Sequence, residues 1–292
     1  MRSRSRLAGL SAVALTTAAA TCFALFPQNS AAARTQLASS TVSAPSHIVV
    51  VMEENHSYDD IIGDTNDAPY INSLASQGAL MTQSFGVTHP SEPNYMALFG
   101  GSDFGLTSDA CPTDEGDTPN LGSELLAAGY TFKGYSEDLP STGSTVCTSG
   151  SYARKHSPWV NFSNVPGADS LPFSSFPTDY STLPTVSFVI PNLDDDMHDG
   201  TINQGDSWLQ NNISSYATWA QQNNSLLVVT WDEDDYTESN QIPTIIVGAG
   251  VKPGQYSETI NHYNVLATLE QFYGLSPVGE SANATPITDI FG

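Results

Sequence analysis

The chain has almost no positive charge. Its 292 residues hold eight Lys and Arg against 31 Asp and Glu, a formal net charge of −23. Three of the eight basic residues lie in the first 33 positions and every acid lies after them. A chain starting near Arg34 therefore keeps only Arg34, Lys133, Arg154, Lys155 and Lys252, and carries −26. Such a surface repels nucleic acid and anionic lipid, which excludes both as general partners. Cysteine is scarce as well. Of three, Cys22 lies in the leader, where Thr21 before it argues against a lipoprotein site. Cys111 and Cys147 remain, and in an oxidising compartment they are expected to form one disulfide. No internal repeat is visible.

The first 33 residues read as a secretory signal peptide. Arg2, Arg4 and Arg6 make a positive start, residues 7–26 are apolar, and Ser30-Ala-Ala-Ala33 is a small-residue cleavage site. The apolar run is also long enough for an uncleaved anchor. The Ala-rich end and the Thr/Ser/Pro-rich stretch after it favour cleavage. The expected organisation is a signal peptide at 1–33, a polar leader at 34–46 and one domain at 47–292. The protein is expected to be secreted and monomeric, without stable membrane insertion.

The segment His89-Pro-Ser91-Glu-Pro-Asn94-Tyr95 reads as a loop turning into a helix, with Ser91 as N-cap and Pro93 in the first turn. Free backbone N–H groups and the helix dipole converge there, a place suited to phosphate. A serine hydroxyl held there could attack phosphorus, if its proton is made easier to lose. An ordinary capping serine is the plainer alternative. A phosphate-handling site needs positive charge that this chain lacks. Bound divalent metal would supply it and would use some of the surplus carboxylates.

Four apolar runs, at 47–52, 185–190, 225–231 and 243–247, read as buried strands, and a fifth strand is expected at 130–135. Helices are expected at 68–78, 121–128, 205–223 and 265–272. Alternation of strands with helices predicts an α/β fold on a mostly parallel sheet. Polar clusters follow the strands: Glu53-Glu54-Asn55-His56, then Asp194-Asp195-Asp196-Met-His198, then Asp232-Glu233-Asp234-Asp235. In open α/β sheets, ligands bind at that end, and carboxylate and amide oxygens suit a hard cation. Each cluster could equally be a solvated turn. Arg154-Lys155-His156 gathers two of the five remaining basic residues and a histidine, and is expected to face the substrate anion.

Taken in order, the Met52-Glu53-Glu54-Asn55 segment, the Ser91 segment, Pro191-Asn192 through Asp199, Trp231-Asp232-Glu233 and Asn261-His262-Tyr263 resemble the bacterial and fungal phosphoesterase family. That family holds secreted acid phosphatases and phospholipases C within the alkaline phosphatase superfamily. The resemblance implies an alkaline-phosphatase-like three-layer α/β/α sandwich. It implies divalent metal held by Glu54, Asn55, Asp232 and Glu233, with Asp196 as a further ligand. It implies catalytic roles for Ser91, His156, His198 and His262, and substrate contacts from Asn94, Lys155 and His89. Thr88 is the alternative nucleophile, and Glu53 could exchange roles with Glu54.

The expected reaction is hydrolysis of a phosphomonoester through a phosphoserine, favoured at acidic pH. The substrate is a small phosphorylated molecule or a phospholipid headgroup. A phospholipase C would share the site and need an apolar leaving-group pocket, which Trp159, Phe162, Phe173 and Phe176 could line if they are not core. A non-catalytic, calcium-stabilised binding protein is the reading from another class. It gives no reason for Ser91 at a helix start or for histidines near the carboxylates.

Overall fold

The run at 47–52 becomes the middle of the sheet. In the computed structural model, which describes residues 43–236 and 239–292, β1 (His47–Glu53) pairs in parallel with β7 (Val186–Ile190) on one side and with β8 (Ser225–Trp231) on the other. In chain order the elements are β1, α1 (Tyr58–Ile61), α2 (Pro69–Gln77), β2 (Ala79–Phe85), α3 (Ser91–Gly100), α4 (Leu121–Ala127), β3 (Phe132–Ser136), β4 (Thr148–Ser149) and β5 (Tyr152–Ala153). Then follow β6 (Ser170–Pro172), β7, α5 (Ile202–Ala220), β8, β9 (Gln241–Gly248), β10 (Gly254–Tyr256), β11 (Ile260–Asn261) and α6 (His262–Tyr273). The expected signal peptide, and most of the leader, lie outside the described residues.

The main sheet runs β10-β2-β9-β8-β1-β7-β3-β6, with β11 also on β2. Among the described residues every pairing in it is parallel except those made by β9. The connection 232–240 between β8 and β9 is too short for a parallel crossover, so β9 turns back on β8. Strand β2 has no counterpart among the sequence-based expectations. Thr82, Gln83 and Ser84 interrupt its apolar pattern, and its register on β9 shifts between Met81 and Ser84.

Side chains of β1 alternate between two cores, as the pleat requires. Ile48, Val50 and Met52 join Tyr95 and Phe99 of α3 and Leu266 and Leu269 of α6. Val49 and Val51 join Ile71 and Leu74 of α2 and Leu209 and Ile213 of α5. Helices thus cover both faces of the sheet, which gives three layers. The same alternation decides where the two glutamates at the end of β1 point. Glu54 falls on the α3 face, and Glu53 on the α2–α5 face beside Trp231 in register.

Trp159 and Phe162 are core, almost without exposure. Trp159 lies so close over Gly134 of β3 that a Cβ there would stand 2.1 Å from its ring. Phe173 and Phe176 pack against the second core. Burial takes Phe162 out of any leaving-group pocket, whereas Phe173 stays half-buried and lines a cavity with Glu137, Leu139 and Pro172. Among the described residues no helix is long and apolar enough to cross a membrane.

Cys111 and Cys147 form the expected disulfide, joining two loops 36 residues apart in sequence. Closing a loop of that size stabilises by about 3–4 kcal/mol in the chain-entropy picture. The Cys111→Ala/Cys147→Ala double variant is expected to lose that much in denaturant unfolding. An unchanged midpoint would show that the loops are held by their other contacts alone.

Candidate active site

Helix α3 starts one residue earlier than the sequence suggests. Pro90 is the N-cap and Ser91 the first helical residue. The hydroxyl of Ser91 is therefore not taken up by capping. It donates to Glu54 Oε2 at 2.9 Å and reaches Glu233 Oε1 at 3.4 Å. Ser91 is only 2% exposed, and Glu54 and Asp232 are fully buried. Strand β1 delivers Glu54, strand β8 delivers Asp232 and Glu233, and α3 delivers Ser91 to one sheet edge. Thr88 Oγ1 donates to the neighbouring His89 carbonyl at 3.2 Å and touches none of these carboxylates.

His156 lies between Glu54 and Asp196. Its Nε2 stands 3.0 Å from Glu54 Oε1, and its Nδ1 3.2 Å from Asp196 Oδ2. Its ring stacks on Tyr95 with centroids 4.7 Å apart. Burial alone would lower its pKa, but Glu54 and Asp196 raise it to about 9. At Glu54 burial raises the carboxyl pKa, but the His156 charge and hydrogen bond, together with Lys155 and Tyr95, bring it down to about 2. His156 was expected to face the phosphate; here its two nitrogens are both engaged by carboxylates.

His262 opens α6, whose N-cap is Asn261. Its Nε2–H donates to the Asp232 carbonyl at 2.6 Å. A carbonyl only accepts, so the lone pair is on Nδ1. Burial keeps the ring neutral, its pKa lowered to about 4. Metal-ligating histidines are oriented in this way, the far nitrogen donating to an outer carbonyl while the other keeps its lone pair. His262 is too buried to protonate a departing group.

The other predicted residues divide between the mouth and its scaffold. His198 Nε2 accepts from Lys155 Nζ at 3.2 Å, which leaves its proton on Nδ1, 2.7 Å from Asp199. His89 is clamped, with Nδ1 2.6 Å from Glu233 and Nε2 3.1 Å from Asp234, and Tyr236 stacks on its ring. The Asn94 amide is committed to the loop before α3. Its Oδ1 accepts from the amides of Val87 and Thr88, and its Nδ2 donates to the carbonyls of Thr88 and Pro90. Asn94 thereby shapes the loop, and its Nδ2 also stands 3.5 Å from Glu233 Oε2. Asn55 is half-exposed, and among the described residues it makes no hydrogen bond to the cluster. Arg154 does not join the site: it is buried and donates to the carbonyls of Thr145, Thr113 and Val160 and to Asn161 Oδ1. The positive triplet thus splits, with Lys155 and His156 inward and Arg154 tying loops together.

Asp109 was not foreseen. It lies in a loop rich in Gly, Asp and Thr with no distinguishing pattern. Its Oδ1 accepts from the Glu92 amide in the first turn of α3 at 2.9 Å, and its Oδ2 from Lys155 Nζ at 3.0 Å. Asp234 was passed over as part of an acidic run, yet it is fully buried and binds the amides of Tyr236 and Asn240.

Do these residues suit a divalent cation? Among the described residues, no three His, Cys, Asp or Glu side chains stand in ready coordination geometry. The donor chemistry nevertheless fits. Both oxygens of buried Asp232 lack a hydrogen-bond partner. Orphaned buried carboxylate oxygens are costly unless something positive reaches them. Burial, and then the Glu54 charge, raise Asp232 well above the usual carboxylate range and Glu233 to about 8.

These shifts fix a stability trend. Glu233 at about 8, and Glu137 and Glu258 at about 7, hold protons in the folded state that the unfolded chain releases near pH 4.5. Their contribution is complete below that pH and is lost as pH rises through 7–8. His156, raised to about 9, adds loss above pH 6.5. His262, lowered to about 4, opposes them by costing stability below pH 6.5. The melting temperature of chelated protein is expected to fall between pH 5 and pH 8. A rise across that range would contradict the assignment.

Comparison with known proteins agrees with this arrangement. Residues 64–276 match the model of the Phosphoesterase family. The chain belongs to that family, and it is a hydrolase acting on phosphate esters. That sets aside the non-catalytic reading. It is 64% identical over 258 residues to a phosphatidylinositol-3-phosphatase of Mycobacterium tuberculosis, covering 88% of this chain and 86% of that protein. It is 31% identical over 246 residues to an acid phosphatase of Aspergillus fumigatus, covering 77% of this chain but 54% of that longer protein. The fold is that of the alkaline phosphatase superfamily. A superfamily member from Vibrio parahaemolyticus matches with a TM-score of 0.57 at 12% identity, over 80% of this chain and 68% of the other. A lipoteichoic acid synthase from Listeria monocytogenes matches at 0.59 and 11%, over 81% and 73%.

Proposed function

We propose that the protein is an exported, divalent-metal-dependent acid phosphatase that hydrolyses phosphomonoesters through a phosphoserine at Ser91. The observation that carries this is the Ser91 hydroxyl, buried at the start of α3 and hydrogen-bonded into the carboxylates of Glu54 and Glu233. Glu54, Asp232, Glu233 and Asn55 would hold the ion. Bound there, a divalent ion supplies Lewis acidity that makes a serine hydroxyl nucleophilic at moderate pH.

The chain's own residues do the rest. The Ser91 proton leaves along the hydrogen bonds it already makes, to Glu54 and Glu233. Oγ attacks phosphorus in line, the bond to the leaving oxygen breaks, and that oxygen takes a proton at the mouth, where Lys155 and His198 stand together. Lys155 also meets the charge that builds on the phosphoryl oxygens. Water then attacks phosphorus and gives its proton back to the mouth, and the P–O bond to Ser91 breaks as Oγ recovers its proton from the carboxylates.

The name of the mycobacterial relative, a phosphatidylinositol-3-phosphatase at 64% identity, supports a 3-phosphate on an inositol headgroup as substrate. The disulfide supports an oxidising, extracellular setting. The test is phosphate release by protein 34–292 from a chromogenic monoester, from phosphatidylinositol 3-phosphate and from a phosphocholine diester, before and after chelation. Chelator-sensitive turnover of the monoesters is expected. Preference for the diester would overturn the monoesterase reading, and full activity after chelation would overturn the metal.

A further inference from the structure

Asp109 bridges two donors that the first turn of α3 and the site mouth would otherwise offer to an anion. One carboxylate oxygen takes the amide of Glu92, immediately after Ser91, and the other takes the Lys155 ammonium. Few other positive donors exist in a chain with eight Lys and Arg. Pro93, two residues after Ser91, has no N–H, so the Glu92 amide is one of few first-turn donors. Arg154 is committed to loop carbonyls. A phosphoryl group in transfer to Ser91 needs the donors that Asp109 holds.

Resting on the phosphatase reading, we propose that Asp109 is a displaceable stand-in for the substrate phosphoryl group, which weakens phosphate binding and so speeds release of product. Two oxygens of a carboxylate span the two donors as two oxygens of a phosphate would. Phosphate carries more charge and displaces Asp109, but at lower net affinity than if the donors were unengaged. On release, Asp109 returns to Lys155 and the Glu92 amide and competes against rebinding. Asp109 itself is 28% exposed at its side chain and belongs to the loop anchored at Cys111, two residues on, so its swing is short and its return is assured. It also explains why an acid stands beside an acidic site: its purpose is competition, not ligation.

The experiment uses metal-replete Asp109→Asn, with inorganic phosphate as probe. Asparagine keeps the shape and removes the charge that competes. Phosphate is expected to bind tighter by on the order of tenfold, the usual effect of a charge-assisted hydrogen bond, and the KM for a small phosphomonoester is expected to fall with it while kcat does not rise. Phosphate binding that weakens or stays the same would overturn the proposal, since a residue that merely orients Lys155 can only lose affinity when changed. A second readout needs no variant. Backbone hydrogen exchange across residues 105–110 of the wild-type protein should quicken when phosphate is added, because Asp109 is released. Unchanged exchange at saturating phosphate would also overturn it. Failure of the phosphatase reading is distinct, because wild-type protein would then show no turnover, whereas phosphate binding and exchange are read without it.

Discussion

Ser91→Ala is expected to reduce kcat for a phosphomonoester by on the order of 10³-fold or more, as removal of an attacking group does. The fold should survive. Ser91 caps nothing, its side chain is small, and the helix behind it rests on Tyr95, Leu98 and Phe99 in the first core. What the variant loses is one oxygen donating to Glu54 and Glu233. Thr88→Ala is the matched control. Its hydroxyl reaches only the carbonyl of His89, so a loss of roughly threefold or less is expected, within the usual range for one local hydrogen bond. Melting curves should show both variants folded. A large loss in Thr88→Ala with a small one in Ser91→Ala would move the nucleophile three residues back.

The second large effect is two-signed. Asp232→Asn should cost activity by on the order of 10²-fold or more, because even outer supports of a metal site cost ten- to hundredfold. In chelated protein at pH 8 the same change should raise stability by about 1–2 kcal/mol, because a buried charge with two orphaned oxygens is replaced by a neutral amide of the same shape. The gain should shrink as pH falls, because burial and the neighbouring Glu54 charge favour the protonated Asp232, whose pKa they raise. Adding divalent ion should stabilise the wild type more than the variant. A variant that is less stable than wild type in chelator, at pH 8, would mean that Asp232 is satisfied without a cation. Thermal melts at two pH values with and without metal give all four comparisons.

Much of this was legible in the chain. Runs of β-branched residues at 47–52 and 225–231 can be buried on both faces only in a parallel sheet, and they became adjacent strands. The carboxylates after them were legible for the same reason, since a strand's end fixes where the next residue emerges. Which of Glu53 and Glu54 faces Ser91 follows from the pleat, once the face of each core is known. What the sequence did not reveal was set by long-range contact. Asp109 earns its position from a loop whose path is fixed by Cys147 and Lys155, neither near it in sequence. Arg154 belongs to the triplet expected to face the anion, but the backbone of surrounding loops had prior use for its donors. Strand β2 was hidden because Thr82, Gln83 and Ser84 interrupt its apolar run. Ser91 was placed one position off as the cap, since Pro90 provides the extended backbone that a cap needs without a side-chain oxygen.

The most direct test of the central claim is to trap the enzyme in turnover. Metal-replete protein mixed with a phosphomonoester and quenched in acid should yield a peptide carrying one phosphoryl group on Ser91, identified by mass spectrometry. The label should vanish after chelation and in Ser91→Ala, and it should be chased by cold substrate at a rate no slower than kcat. A phosphoryl group on another residue, or rapid chelator-sensitive turnover with no trapped label and direct transfer of water shown by inversion at phosphorus, would contradict the account.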